Sequence, residues 1–150
     1  MADIIRPATV ADAAAIVPNL RQCDIDECEA LCGAGSTPGV AVSTVVNSPL
    51  ALAYVRDGRL VALFGVAGNL LSATGAPWLF GTDEVSHCSR AVIRDSRRYL
   101  PAMLALFPRL ANYVDARNTI SIRWLKRIGF KFHPAVEFGG LPFYPFTMGV

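Results

Sequence analysis

Several features are missing from this 150-residue chain, and each absence removes a class of protein. No apolar run reaches the ~20 residues that span a bilayer, although 53% of the residues are hydrophobic and only 17% are charged. A soluble protein with an apolar patch for a partner is therefore expected. The opening MADIIRPATVADAAAIV carries Asp3 and has no basic stretch ahead of an apolar block. That argues against a secretory signal and for the cytoplasm. Net charge is only +2, too little for nucleic-acid binding by bulk electrostatics, which needs many clustered Lys and Arg. Cys23, Cys28 and Cys32 lack C-x-x-C spacing, Cys88 stands apart, and His87 and His133 form no helical ligand pair. Reduced, half-buried thiols and no metal are expected. Neither an internal repeat nor a dividing linker is present, so residues 1–150 read as one domain that buries roughly 70% of its unfolded surface.

What is present alternates strand and helix signals. DIIRPAT reads as a short strand stopping at Pro7, and Thr9 with Asp12 three residues on resembles a capping box for the helix VADAAAIVPNL, ending near Pro18. A short helix around Asp24 to Leu31, stopped by Gly33, precedes a Gly/Ser/Pro loop and a second helix before Pro49. LALAYVRDGRLVALFGVAGN is a hairpin turning at Asp57 and Gly58. PWLFGT reads as a central strand, after which Asp83 and Glu84 suit the first turn of a helix. That helix buries Val85, Cys88, Val92, Tyr99 and Met103, displays Arg90, Arg94, Arg97 and Arg98 on another side, and breaks or restarts at Pro101. RLANYVDARN is a strand. NTISIRWLKRIGF is a helix capped by Asn118 or Thr119, with Ile120, Trp124, Leu125 and Ile128 inward, Arg123, Lys126 and Arg127 outward, and Gly129 as its stop. Two closing strands surround Gly139 and Gly140.

With these residues in this order the chain resembles the GCN5-related N-acetyltransferases (GNAT). IRPATVADAAAI looks like that family's first strand and helix, and YVRDGRLVALFGV looks like its central hairpin. VDARNTISIRWLKRIGF looks like its closing strand and helix, with Val114, Asn118, Ser121, Gly129 and Phe130 at matching spacings. A closer likeness is to the acetyltransferase-like internal virion proteins of short-tailed lytic phages. It rests on PWLFGTDEV, the arginine-bearing helix, NYV with the Asn118 that follows it, and IRWLKRIGF, and leaves the cysteine segment outside. The resemblance implies an α+β fold with a mixed central sheet flanked by helices, and acetyl-CoA as the cofactor if the protein is active, otherwise none. The implied cofactor contacts are Leu79, Gly81, Thr82 and Asn118.

The chemistry of such an enzyme sets requirements. A pyrophosphate wants free backbone amides at a helix N-terminus, supplied in the family by a Q/R-x-x-G-x-G/A loop. This chain has GTDEVSHCSR, with Gly81 alone and the charges of Asp83 and Glu84 at the place a pyrophosphate would take. A leaving thiolate wants a proton donor; where the family often has a helix tyrosine this chain has Leu125, and Tyr113 on the preceding strand is the substitute. Glu84, with Asp83 and His87, is the candidate base, their ordinary role being helix capping. Two functions stay open. One is a phage accessory protein, in the virion or host cytoplasm, with a degenerate acetyl-CoA site. It would meet phage or host proteins through the Arg90, Arg94, Arg97 and Arg98 face or the aromatic ending FGGLPFYPF. The other is a working N-acetyltransferase acting on a protein or small-molecule amine by proximity and backbone polarisation.

Overall fold

The computed structural model describes residues 3–150; Met1 and Ala2 lie outside them. Strand β1 (Asp3–Pro7) leads into helix α1 (Val10–Ile16) through the expected capping box. The Asp12 N–H donates to Thr9 Oγ1 at 3.2 Å and the Thr9 N–H donates to Asp12 Oδ2 at 2.8 Å. A 3-10 turn, Val17–Asn19, carries Pro18, and helices α2 (Gln22–Cys32) and α3 (Thr37–Val46) follow. Strands β2 (Leu50–Arg56) and β3 (Arg59–Ala67) form the predicted hairpin, turning on Asp57 (φ 52°) and Gly58 (φ 75°). Two successive positive φ angles match the right-handed twist of the strands they join.

Strand β4 (Thr74–Gly81) starts earlier than the expected PWLFGT, because Thr74 and Gly75 pair with Arg109 and Leu110 of strand β5 (Arg109–Asp115), far away in sequence. The helix expected after β4 is broken twice, into α4 (Glu84–His87), α5 (Ser89–Arg98) and α6 (Leu100–Leu106). Pro101 sits in the first turn of α6, where its missing N–H costs nothing. Val85, Cys88, Val92 and Met103 are buried, and the four arginines face solvent.

Helix α7 (Thr119–Ile128) is capped by Asn118, whose Oδ1 accepts the Ser121 N–H at 3.2 Å, and stops at left-handed Gly129 (φ 118°). Ile120, expected inward, is 50% exposed. It shares the water-side stripe of Arg123 and Arg127, three and seven residues on, and Ile122 takes the inward place. Strands β6 (Lys131–Phe132), β7 (Val136–Phe138) and β8 (Leu141–Gly149) close the chain; the short β6 was not expected.

The eight strands form one mixed sheet, ordered β1-β2-β3-β4-β5-β8-β6 with β7 on β8, and only β4–β5 is parallel. Helices flank it, giving an α+β architecture. On one side Tyr54, Phe64, Phe107 and Leu110 pack with residues of α5, α6 and α7; on the other Ala53, Leu63 and Phe80 pack with α1 and α3. Coverage of both faces explains why β3 is apolar almost throughout. Among the described residues no helix is long and apolar enough to cross a membrane, and no group of three or more His, Cys, Asp or Glu could hold a metal ion.

Candidate active site

The site begins where the sheet parts. Beyond Thr74–Arg109 and Gly75–Leu110 the ladder between β4 and β5 stops. Asn112 of β5 then reaches across, its Nδ2 donating to the Pro77 carbonyl at 2.8 Å. The opening leads into a cavity of about 350 Å³, walled by Trp78, Leu79, Tyr113, Trp124, Leu125 and Ile128 among others. Helix α2 contributes its polar groups, Asp24 and Glu27, together with Arg21 just before it.

Backbone groups on the cleft side of β4 follow from strand alternation. The Gly81 N–H donates to Asp24 Oδ2 at 2.8 Å, and the Gly81 carbonyl accepts from the Arg21 N–H at 2.9 Å. Pro77 also directs its carbonyl into the gap. Leu79, midway between them, therefore turns its N–H and C=O toward the cleft, where no described residue pairs with them. Asp24 is further held by Arg21, whose Nε and Nη2 donate at 3.0 Å and 2.9 Å, while the guanidinium lies 5.5 Å over the Trp124 ring. Both partners are buried, so the pair is geometrically locked.

Glu27 is different. Its Oε1 accepts the Asp115 N–H at 3.1 Å and Asn118 Nδ2 at 3.0 Å, and among the described residues no cation forms an ion pair with it. Burial pushes its carboxyl up to about 7; the Asn118 hydrogen bond opposes this and the charge of Asp24 adds to it. Neighbouring Asp115 is held below the usual range by its hydrogen bonds with Arg117.

The predicted site residues divide. Leu79 and Tyr113 line the cleft, Tyr113 at its rim with 44% exposure and its ring edge-on to Phe138 at 5.0 Å. Gly81, the last residue of β4, does not line the cavity: its N–H and C=O are engaged by Asp24 and Arg21, and a Cβ there would come within 2.9 Å of Val85 Cγ2. Thr82 spends its N–H and its hydroxyl on the Val61 carbonyl, each at 2.9 Å. Asn118 caps α7 and holds Glu27. Glu84 does not line the cavity: its carboxylate lies 3.4 Å from Arg59, toward the β2–β3 turn. Of the two charges expected to repel a phosphate, Glu84 is thus drawn toward Arg59, whereas Asp83 stays exposed and makes no ion pair among the described residues. Sequence reasoning missed Glu27, one acid among several in DIDECE, because only folding brings it to a helix cap about ninety residues away.

The chain matches no family model and no curated protein sequence. Its fold does match solved structures along its whole length. An acetyltransferase of the GNAT family from Streptococcus pneumoniae superposes with a TM-score of 0.69 at 15% identity, covering 99% of each chain. Ard1 from Thermoplasma volcanium gives 0.73 at 15% identity, covering 100% of this chain and 99% of that one. The PaiA N-acetyltransferase from Thermoplasma acidophilum, in complex with coenzyme A, gives 0.66 at 13% identity, covering all of both chains. The chain has the GNAT acetyltransferase fold.

Proposed function

We propose that this protein is an acetyl-CoA-dependent N-acyltransferase whose cofactor arm lies in the cleft between β4 and β5. The observation that carries this reading is the cleft itself, an apolar cavity of about 350 Å³ bordered by the unpaired peptide group of Leu79. Empty apolar volume inside a domain lowers its stability, and a pocket of this size with a few converging polar groups is the usual form of a small-molecule site. Unpaired N–H and C=O groups on a strand edge suit an extended, amide-bearing chain such as pantetheine. Acetyl-CoA, when bound, supplies an acyl thioester. Leu79 would hold the arm, with Leu125 and Ile128 as apolar walls, and Arg90 with the first turn of α5 would face the phosphates. Tyr113, at the rim, would give a proton to the departing thiolate. The fold of coenzyme A-bound acetyltransferases supports the same reading. Calorimetric titration with acetyl-CoA tests it: micromolar binding is expected, and absence of binding at millimolar ligand would overturn it.

A second reading is favoured by a separate observation. Gly81, Thr82 and Asn118 spend their polar groups inside the protein, there is no glycine-rich loop, and Leu125 stands where a phenol is common in the family. A phage accessory or virion-associated protein with a degenerate site fits those facts. The exposed Arg90, Arg94, Arg97 and Arg98 face or the aromatic C-terminal strands would then dock phage or host proteins. Titration separates the two, since this reading predicts no acetyl-CoA binding.

A further inference from the structure

We infer that Glu27 is the general base of the cleft, receiving the proton of an apolar primary ammonium before acyl transfer. This rests on the transferase reading above and adds the residue and the acceptor class. Three observations lead to it. First, Glu27 lines the cavity from α2, and the same cavity is lined by Trp78, Tyr113 and Trp124, whose rings suit an amine on an apolar body. Second, its oxygens are unequal: Oε1 is held by the Asp115 N–H and Asn118 Nδ2, while Oε2 accepts no hydrogen bond from any described residue. The carboxyl is therefore oriented by two elements and still has lone pairs to offer. Third, the other acids nearby are committed. Asp24 is held by Arg21 and the Gly81 amide, Asp115 is held by Arg117, and Glu84 lies outside the cavity beside Arg59.

The charged and titratable groups around Glu27 are Asp24, Cys23 and Cys28 on α2, Arg21 before it, Asp115 at the end of β5 and Arg117 in the following turn. Their acids and burial raise the carboxyl to about 7. It is thus a stronger base than an ordinary glutamate and still ionised just above neutrality. The step balances: R–NH3⁺ gives one proton to Oε2, leaving a neutral carboxyl and a neutral amine. As the C–N bond forms and the C–S bond of the acyl thioester breaks, Tyr113 gives its hydroxyl proton to the departing thiolate and takes up the second N–H proton in its place, producing the amide and a thiol.

Two measurements test this, with phenethylamine as the probe. Calorimetry without any cofactor should show wild type binding the amine at least tenfold tighter at about pH 8 than at about pH 5.5. Glu27→Gln, shown folded by an unchanged circular dichroism spectrum, should bind weakly at both. In the presence of acetyl-CoA, kcat/KM should rise through about pH 7 in wild type; that limb should vanish in Glu27→Gln and partly return in Glu27→Asp. Amine binding that ignores the substitution, or a Glu27→Gln enzyme keeping both rate and pH limb, would overturn the inference. Failure of acetyl-CoA to bind, with amine binding still dependent on Glu27, would overturn the transferase reading and the base role while supporting the ammonium contact.

Discussion

Glu27 shows how far one side chain departs from its intrinsic chemistry when the fold surrounds it. Its folded pKa of about 7 lies above the ordinary 4.5. The neutral form is therefore favoured by folding, and its contribution to stability is full below about pH 4.5 and lost as pH rises through about 7. The shift corresponds to a loss on the order of 3 kcal/mol across that window. Urea unfolding at a series of pH values should show this loss in wild type and its absence in Glu27→Gln, making the variant the more stable protein at about pH 8. Asp12 contributes with the opposite sign. Arg6 holds it at about 2, so its contribution is present above the ordinary 3.8 and disappears as pH falls toward 2. A perturbed carboxyl such as that of Glu27 has no sequence signature of its own. Its neighbours in the chain, Asp24, Asp26 and Glu29, look the same until burial separates them.

At the scale of elements, α7 was legible in the sequence from cap to stop. Asn118 and Gly129 act through local backbone chemistry, a side-chain acceptor for the first-turn amides and a residue tolerant of positive φ. What the local pattern could not supply was orientation, which is why Ile120 faces water. Asn118 also joins two elements, because its Nδ2 binds Glu27 on α2. Asn118→Ala should cost about 1–2 kcal/mol through loss of the cap. It should also move the Glu27 pKa further up, since the bond it removes is one that lowers it. Thermal unfolding checks the first effect, and carbon-detected NMR titration of the glutamate carboxyls checks the second. A cap lost with no movement of Glu27 would break the link drawn between α2 and α7.

Across the whole molecule, the feature that matters is the parting of β4 from β5. It starts at Gly75, where the ring of Phe107 lies against the strand. A Cβ added there would fall 2.6 Å from Phe107 Cγ and 2.8 Å from Val66 Cγ2. Phe107 follows α6 and is fully buried, so it cannot swing aside without disturbing both halves of the sheet. Gly75→Ala should therefore destabilise the protein by about 1–3 kcal/mol, as overpacked cores do. It should also weaken any ligand of the cleft, because the two strands that shape it share this junction. Denaturant unfolding and the acetyl-CoA titration, applied to the same variant, measure the two effects. Unchanged stability would mean that the junction yields more easily than a close-packed core does.

The sequence by itself determined most of the elements and those ends that local chemistry fixes: the capping box at Thr9, the hairpin at Asp57 and Gly58, the cap and stop of α7, and with them the α+β class. These depend on interactions within a few residues, and such interactions leave a pattern in the chain. Only the tertiary structure decided the site. Parting of β4 from β5, engagement of Gly81 by Asp24, removal of Glu84 to Arg59 and the meeting of Glu27 with Asn118 each join residues distant in sequence. Burial and hydrogen bonding among such residues set both the shape of a cleft and the proton affinity of a group within it, and neither exists before the chain has folded.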